Sequence, residues 1–251
     1  MKGVSLPELL VAVAVTGVVA GALFGLLHGQ ERLARAQADG VTAAEALRLS
    51  AFVLSGELRL LQPDEDIARF APESAAVRAL RGFALVCGAS AAGILVRYRG
   101  VRTPDPAKDS VLVLRADSAA RPLPLTGTAP AHAGCAAGPG ERVELWALGA
   151  APHPPVGSAA LLFESGTYAL TGGALRYRRG DGGRQPLTIE WLDDAASGLQ
   201  PLDATGSPTL DPARAAAVVV RAAAEVPGSA RRYNARLLLA LLNGAAHGGA
   251  P

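Results

Sequence analysis

The stretch GVSLPELLVAVAVTGVVAGALFGLLHGQ, residues 3–30, decides the architecture of this chain. It carries no charged residue from Leu9 to Leu27, and this run is close to the roughly 20 apolar residues that a helix needs to cross a bilayer. A proline and an acid, Pro7 and Glu8, stand at its entrance. We therefore expect a membrane-spanning helix with one carboxylate in its first turn.

The entrance also fits a local helix-start pattern. Ser5-Leu6-Pro7-Glu8 satisfies the S-x-x-E capping box, in which Ser5 is the N-cap and the acid three residues later closes the box. Pro7 falls inside the first turn, where a missing N–H does no harm. The capping box explains these residues without any function, so the role of Glu8 is open at this point.

Downstream of the apolar run the helical pattern continues, with apolar residues recurring at three- and four-residue steps that line one face of a helix. The residues on this face are Ala44, Leu47, Ala51, Leu54, Leu58 and Leu61. Pro63 is expected to end the helix. A continuous helix from Leu6 to Leu61 would be about 80 Å long at about 1.5 Å per residue, which is much longer than a globular helix requires.

From residue 83 onward, short runs rich in branched and aromatic residues predict β-strands. They are FALVC (83–87), ILVRY (94–98), VLVLR (111–115), RVELWAL (142–148) and ALLF (160–163). Two late, nearly continuous apolar runs, AVVVRAAAEV (217–226) and ARLLLALLN (235–243), fit either strand or helix by periodicity, and we interpret both as strands. Thr171, Gly172 and Gly173 between two such runs predict a hairpin. Residues 100–110, 116–140 and 193–212 are expected to be loops. This order predicts an α+β fold, with a long N-terminal helix packed on a mainly antiparallel sheet.

Composition and charge argue against several functions. The 24 basic and 22 acidic residues of the 251-residue chain are scattered, so no nucleic-acid partner is expected. The four histidines are far apart and fit no metal-binding spacing. The sequence therefore predicts a protein that is not an enzyme, with no catalytic residue, no metal and no cofactor.

Two further patterns have simple structural explanations. The acidic clusters 64–66 and 193–194 stand beside turn residues and are expected on the solvated surface, with a calcium site as the less favoured alternative. The segments 97–99 and 176–179 combine arginines with tyrosine, as single-stranded nucleic-acid sites do. Alternating strand faces, with Tyr98 and Tyr177 inward and the arginines outward, explain these segments more simply.

Gly3 followed by Val4-Ser5-Leu6-Pro7-Glu8 and an apolar run resembles the class III signal of type IV pilins and pseudopilins, the prepilin-type N-terminal methylation family. The resemblance implies that a prepilin peptidase cuts after Gly3, that Val4 becomes the mature N-terminus, and that Glu8 is the fifth mature residue and acts in assembly. Val4 stands where the family usually has phenylalanine.

Other segments resemble PilW-type minor pilins and the J-type pseudopilins of type II secretion. They are FVLSGELRLL (52–61), TYALTGGALRYRRGDGG (167–183), QPLTIEWLDD (185–194) and LLLALLNG (237–244). The resemblance implies a single pass through the bacterial inner membrane with the C-terminal domain outside the cytoplasm. The implied partners are the peptidase and other pilin or pseudopilin subunits, bound through the N-terminal helix.

These expectations divide the chain into four parts: a leader at 1–3, a transmembrane and assembly half-helix at 4–29, an amphipathic half-helix at 30–62, and an extracytoplasmic β-rich domain at 63–251. The favoured function is a minor pilin-like structural subunit that takes part in assembly or initiation of a type IV pilus. Two alternatives stay open: a J-type pseudopilin, and a signal-anchored periplasmic binding module that never assembles.

The implied location also bears on the two cysteines, Cys87 and Cys135. Outside the cytoplasm, oxidising conditions favour a disulfide between them. The chain-entropy model predicts that closing the loop between them would stabilise the fold by roughly 4 kcal/mol. The alternative is a buried free thiol at Cys87 and an incidental one at Cys135.

Overall fold

The computed structural model describes residues 6–114, 122–131, 134–150, 153–180 and 182–242. Its N-terminal part is one unbroken helix, α1, from Leu6 to Leu58. The helix ends three residues before the expected Leu61, and a short helix, α2 (Pro63–Asp66), begins at the proline that was expected to stop it.

The described residues after the helices form twelve strands. They are β1 (Ile67–Ala71), β2 (Ser74–Ser90), β3 (Gly93–Gly100), β4 (Asp109–Val113), β5 (Leu123–Pro130), β6 (Arg142–Leu148), β7 (Ala159–Thr171), β8 (Ala174–Arg179), β9 (Arg184–Pro186), β10 (Gly198–Asp203), β11 (Ala215–Glu225) and β12 (Arg232–Ala240). Every pairing between these strands is antiparallel.

The predicted hairpin is confirmed between β7 and β8. Thr171 pairs with Ala174, so Gly172 and Gly173 form a two-residue loop. Their φ angles are 60° and 74°. Glycine adopts such positive values without steric cost, which is why it is favoured in tight hairpin turns.

Two predicted loops are wrong in part, because β5 lies within 116–140 and β10 lies within 193–212. Both strands contain proline and few branched residues, so their local propensity is low. Their pairing with neighbours overrides that propensity: β5 pairs with β4 and β6, and β10 pairs with β11.

Six strands close into a barrel. The neighbours run β2-β3-β6-β5-β4-β7, and β7 pairs again with β2. A separate hydrophobic core fills the barrel, with Tyr98 and Trp146 packed edge to face, their ring centroids 5.3 Å apart. The barrel was not predicted, because closure is set by long-range pairing rather than by local pattern.

Beyond the barrel, β2 and β7 continue as a pair and are flanked by β1 on one side and by β8 and β9 on the other. These five strands, a second sheet in the order β10-β11-β12, and the C-terminal part of α1 enclose the larger core. The buried residues that α1 contributes are Ala43, Ala46, Leu47, Ser50, Leu54 and Leu58.

The α+β class is confirmed: the chain has one long apolar N-terminal helix and a mostly antiparallel β-domain. Leu47, Leu54 and Leu58 belong to the same core as strand residues such as Val218 and Val220. The later part of α1 is therefore an integral element of the domain.

This packing predicts different behaviour for two shortened chains. A fragment beginning at Gln30 keeps every buried residue of α1, and we expect a folded, monodisperse product. A fragment beginning at Asp64 uncovers the larger core, and we expect aggregation. Size-exclusion chromatography with circular dichroism checks this, and equal solubility and melting temperature of the two fragments would contradict it.

Candidate functional site

The first candidate site is the exposed apolar half of α1. From Leu6 to Arg35 every residue is exposed except Ala20, which is half-buried. Large apolar side chains on this surface are more than half exposed, for example Val18 and Phe24, each 74% exposed. At about 1.5 Å per residue this part of α1 extends roughly 45 Å. The helix is long and apolar enough to cross a membrane.

Glu8 lies in the first turn of this exposed half. It borders a shallow apolar groove together with Pro7, Val11 and Val15. Gly3 and Val4, where cleavage is predicted, lie outside the described residues. The structure therefore places the acid at the start of the apolar surface and leaves the cleavage and assembly roles as predictions.

Three glycines repeat at four-residue steps on the exposed half of α1. Gly17, Gly21 and Gly25 have no atom within 4 Å of the position where a Cβ would stand, apart from the helix's own turns. Small residues at this spacing allow another helix to approach closely in a bilayer. Their outer surface is thus open to such a neighbour.

The helix meets the domain near Gly40. A Cβ at Gly40 would stand 2.7 Å from the hydroxyl of Tyr233 on β12, so this glycine permits a close approach of that side chain. Four residues earlier, the Arg231 guanidinium donates to the carbonyl oxygen of Ala36, with a donor–acceptor distance of 3.4 Å. The exposed half of α1 therefore ends where β12 begins to cover the helix.

The second candidate site is a buried polar layer between the two cores, centred on Glu164. Along the inward face of β7, Ala160 and Leu162 belong to the barrel core, whereas Tyr168 and Leu170 belong to the larger core. Glu164 lies between these pairs and is only 1% exposed. A buried carboxylate is stable only when it is paired and hydrogen-bonded.

Three side chains donate hydrogen bonds to the Glu164 carboxylate. The hydroxyl of Tyr177 and Nε of Arg179 donate to Oε1 over 2.6 Å and 2.9 Å, and Nη2 of Arg102 donates to Oε2 over 2.5 Å. Arg102 also forms a two-point ion pair with the buried carboxylate of Asp109. Both oxygens of the Glu164 carboxylate therefore accept hydrogen bonds.

Arg81 connects this layer to the long helix. Its Nη1 donates to both carboxylate oxygens of Glu57 on α1, over 3.0 Å and 3.1 Å, and its Nε lies 3.8 Å from Oε2 of Glu164. The pairing of β2 with β7 shifts between Leu80 and Gly82, so Arg81 is the extra residue of a β-bulge. The bulge turns Arg81 inward beside its neighbours, as bulges often re-aim a side chain.

The surroundings of the layer shift several pKa values. Burial raises the pKa of Tyr177 to about 12, and its hydrogen bond to the ionised Glu164 adds to this. For Glu164, burial acts to raise the pKa, but the hydrogen bonds from Tyr177, Arg102 and Arg179 and the charge of Arg81 outweigh it, so its pKa lies below the usual range. Glu164 is therefore ionised in the folded protein at neutral pH.

Sequence reasoning missed this layer, although a local signal exists. Glu164 follows the apolar run 160–163 on the same strand face as Leu162, an unusual position for an acid. Gly166 comes two residues later, where a Cβ would stand only 2.2 Å from the Tyr177 hydroxyl. An acid and a glycine at inward positions of one strand therefore indicate that a polar side chain from another strand fills the space beside the glycine and contacts the acid.

The two cysteines and the acidic pair 193–194, which were singled out in the sequence, have structural roles. Cys87 and Cys135 form a disulfide, with Cα atoms 5.7 Å apart, which links the end of β2 to the segment between β5 and β6. Asp194 accepts hydrogen bonds from the backbone N–H groups of Gly172 and Gly173 and so holds the hairpin loop, a role the sequence did not reveal. Among the described residues, no group of three or more potential metal ligands comes together.

Comparison with models of protein families, with curated proteins and with solved structures gave no match.

The polar layer predicts an acid-sensitive contribution of Glu164 to stability. Because its folded-state pKa is lowered, the contribution is complete above the ordinary glutamate pKa of about 4.3 and is lost as pH falls through the folded-state value. We expect Glu164→Gln to lower the free energy of unfolding at pH 7 by about 1.5–3 kcal/mol, since it weakens charge-assisted hydrogen bonds in a buried site while Arg102 keeps its ion pair with Asp109. Denaturant titrations of the fragment from Gln30 at pH 7 and pH 3 measure this difference.

The control is Arg179→Gln, which removes a donor to the same carboxylate from a guanidinium that is 43% exposed. We expect a loss of no more than about 1 kcal/mol, as is typical of exposed ion pairs. An equal loss for both variants, or a Glu164→Gln deficit that does not shrink in acid, would contradict the assignment.

Proposed function

We propose that this protein is a minor pilin-like structural subunit that is inserted in the bacterial inner membrane, cut by a prepilin peptidase after Gly3, and then assembled or used to initiate a type IV pilus. The observation that carries the proposal is the division of α1. One unbroken helix presents an exposed apolar half with Glu8 in its first turn, and its other half is built into a β-domain.

The exposed half supports the proposal by its energetics. Twelve large apolar side chains between Leu6 and Leu27 are at least half exposed. Each costs roughly 1.5–3 kcal/mol in water when left uncovered. Such a surface is stable only when it is covered by lipid or by the helices of neighbouring subunits. A pilin-like subunit moves from the bilayer into contact with such helices when it is assembled.

The proposed arrangement in the membrane uses the same division. The part of α1 up to residue 29 spans the inner membrane and acts in assembly, the part from residue 30 to Leu58 packs on the domain, and the β-domain that follows lies outside the cytoplasm. The unbroken course of α1 through residue 29 makes this a rigid connection rather than a flexible tether. A J-type pseudopilin has the same requirements, and the genes beside this one would separate the two.

Glu8 has a specific role in this proposal. A charged side chain at the centre of a membrane helix costs roughly 2.5–3.5 kcal/mol on insertion scales, and Glu8, in the first turn of the span, bears a smaller part of that cost. After cleavage, the new amino group of Val4 on one subunit can pair with Glu8 of its neighbour inside an apolar helix bundle. The pairing favours docking of a subunit over a lone subunit in the membrane.

Processing gives the first test. The peptidase of this family requires a small residue before the cut, so we expect Gly3→Arg to leave an uncut precursor in the membrane. The matched variant Gly3→Ala keeps a small residue and should be cut normally. Mass spectrometry of the mature N-terminus reads out both. A wild-type protein that retains Met1 in the presence of the peptidase would overturn the proposal and favour a signal-anchored binding module.

Assembly gives the second test. We expect Glu8→Gln to be inserted and cut normally but to enter filaments, or promote their initiation, at least tenfold less well than the wild type. Glu31→Gln, which neutralises an exposed acid beyond the apolar run, serves as the control and should assemble normally. Quantifying the subunit in sheared filaments measures the difference. Normal incorporation of Glu8→Gln would leave this acid only its capping-box role.

A further inference from the structure

The outer face of the five-stranded part of the large sheet carries a group of arginines that are distant in sequence. The pairings Arg69 with Ala76, Ala76 with Thr167, Thr167 with Arg178 and Arg178 with Arg184 place these residues in one row across β1, β2, β7, β8 and β9. Neighbouring strands are about 4.8 Å apart, so the row spans roughly 19 Å.

A fourth arginine extends the group. Arg78 lies two residues beyond Ala76 on the same face of β2 and pairs with Ser165. We call Arg69, Arg78, Arg178 and Arg184 the arginine face. Inward neighbours such as Val77 and Tyr168 belong to the larger core, which establishes that the arginines occupy the opposite side of the sheet.

The charges of the arginine face are little compensated. Among the described residues, none of its four guanidinium groups forms an ion pair, and the buried Nε of Arg178 has no hydrogen-bond acceptor. Asp66 lies close enough to the arginine face to be affected by its charge. Burial raises the pKa of Asp66, and the positive charge of Arg78 acts against this rise. Arg176, on the same face, is already occupied by Glu190.

We propose that the arginine face binds the sugar–phosphate backbone of double-stranded DNA. Four cations over roughly 19 Å call for a partner with closely spaced anions, and one DNA strand places about one phosphate per 3.4 Å of helix axis, so about five phosphates would lie along the row. The guanidinium fork matches phosphate oxygens, and the hydroxyls of Ser165 and Thr167 lie between the arginines as further donors.

Two features argue against single-stranded nucleic acid and against a lipid surface as the ligand. The tyrosine of β8, Tyr177, points inward, and the face carries no aromatic side chain among its described residues, so it has no platform for stacking unpaired bases. The face also lies on the side of the sheet away from α1. A bilayer around residues 6–27 would therefore not be expected to meet it, unlike the basic residues next to the apolar run.

The test uses the full chain in a non-ionic detergent and a fluorescent 30-base-pair duplex, with anisotropy measured at several salt concentrations. We expect binding with a slope of log K against log salt of about −3.6, four times the roughly 0.9 expected per phosphate contact. A second duplex of unrelated sequence should bind equally. Each single Arg→Gln change on the face should reduce the slope by about 0.9.

The decisive comparison holds the net charge constant. Arg69→Gln, Arg78→Gln, Arg178→Gln and Arg184→Gln together should weaken binding more than a hundredfold. The matched variant replaces four exposed arginines elsewhere, at positions 48, 59, 221 and 236, and should retain binding within about threefold. No wild-type binding, or equal loss in both variants, would overturn the proposal.

Two competitors test the identity of the ligand. A sulfated polysaccharide and vesicles containing anionic lipid are added at the same salt concentration as the duplex. Weaker binding of both supports the DNA assignment, and tighter binding of either overturns it. Because this assay requires neither cleavage nor assembly, its failure would leave the proposed structural function standing, and failure of the processing test would leave this inference standing.

Discussion

One pair of strands, β2 and β7, is shared by both hydrophobic cores, and the rest of the structure depends on how this pair crosses from one to the other. Along the inward face of β7, apolar side chains of the barrel core are followed by Glu164 and then by side chains of the larger core. Ionised in a buried site, that carboxylate must be surrounded by donors, and strand β8 and the loop after β3 supply them. The polar layer thus fixes the register of several elements at a single point.

The same layer explains how the long helix is held so firmly at one end. Apolar packing of Leu54 and Leu58 stabilises the contact between α1 and the domain but constrains the rotation of the helix only weakly. The two hydrogen bonds from Arg81 to Glu57 are directional and specify one rotation of α1 about its axis. The β-bulge that presents Arg81 is therefore as important to the helix as to the sheet. The part of α1 before residue 36 is beyond the reach of the domain and is exposed almost all round, whereas the later part buries one face.

Sequence reasoning succeeded where the pattern was long and regular. The apolar run after Glu8 and the spacing of Leu47, Leu54 and Leu58 predicted α1 to within three residues at its C-terminal end. It failed where pairing overrides local preference, as in β5 and β10, and it could not foresee the barrel. The arginine face was missed for a related reason: a charge count contains no information on strand register, which places residues 69 and 184 in one row on the same face of the sheet.

The order of synthesis gives the packing of α1 a consequence for biogenesis. The helix leaves the ribosome first, yet β11 and β12, which cover its face, are made last, and the contact between Ala36 and Arg231 joins residues separated by 195 positions. Until the C-terminal strands emerge, the core around Leu47, Leu54 and Leu58 is incomplete. Contacts of such high sequence separation form late and leave apolar surface exposed meanwhile. For the whole time it takes to synthesise the domain, the unfinished chain therefore presents an apolar helix face to other chains, and aggregation in that interval is the hazard.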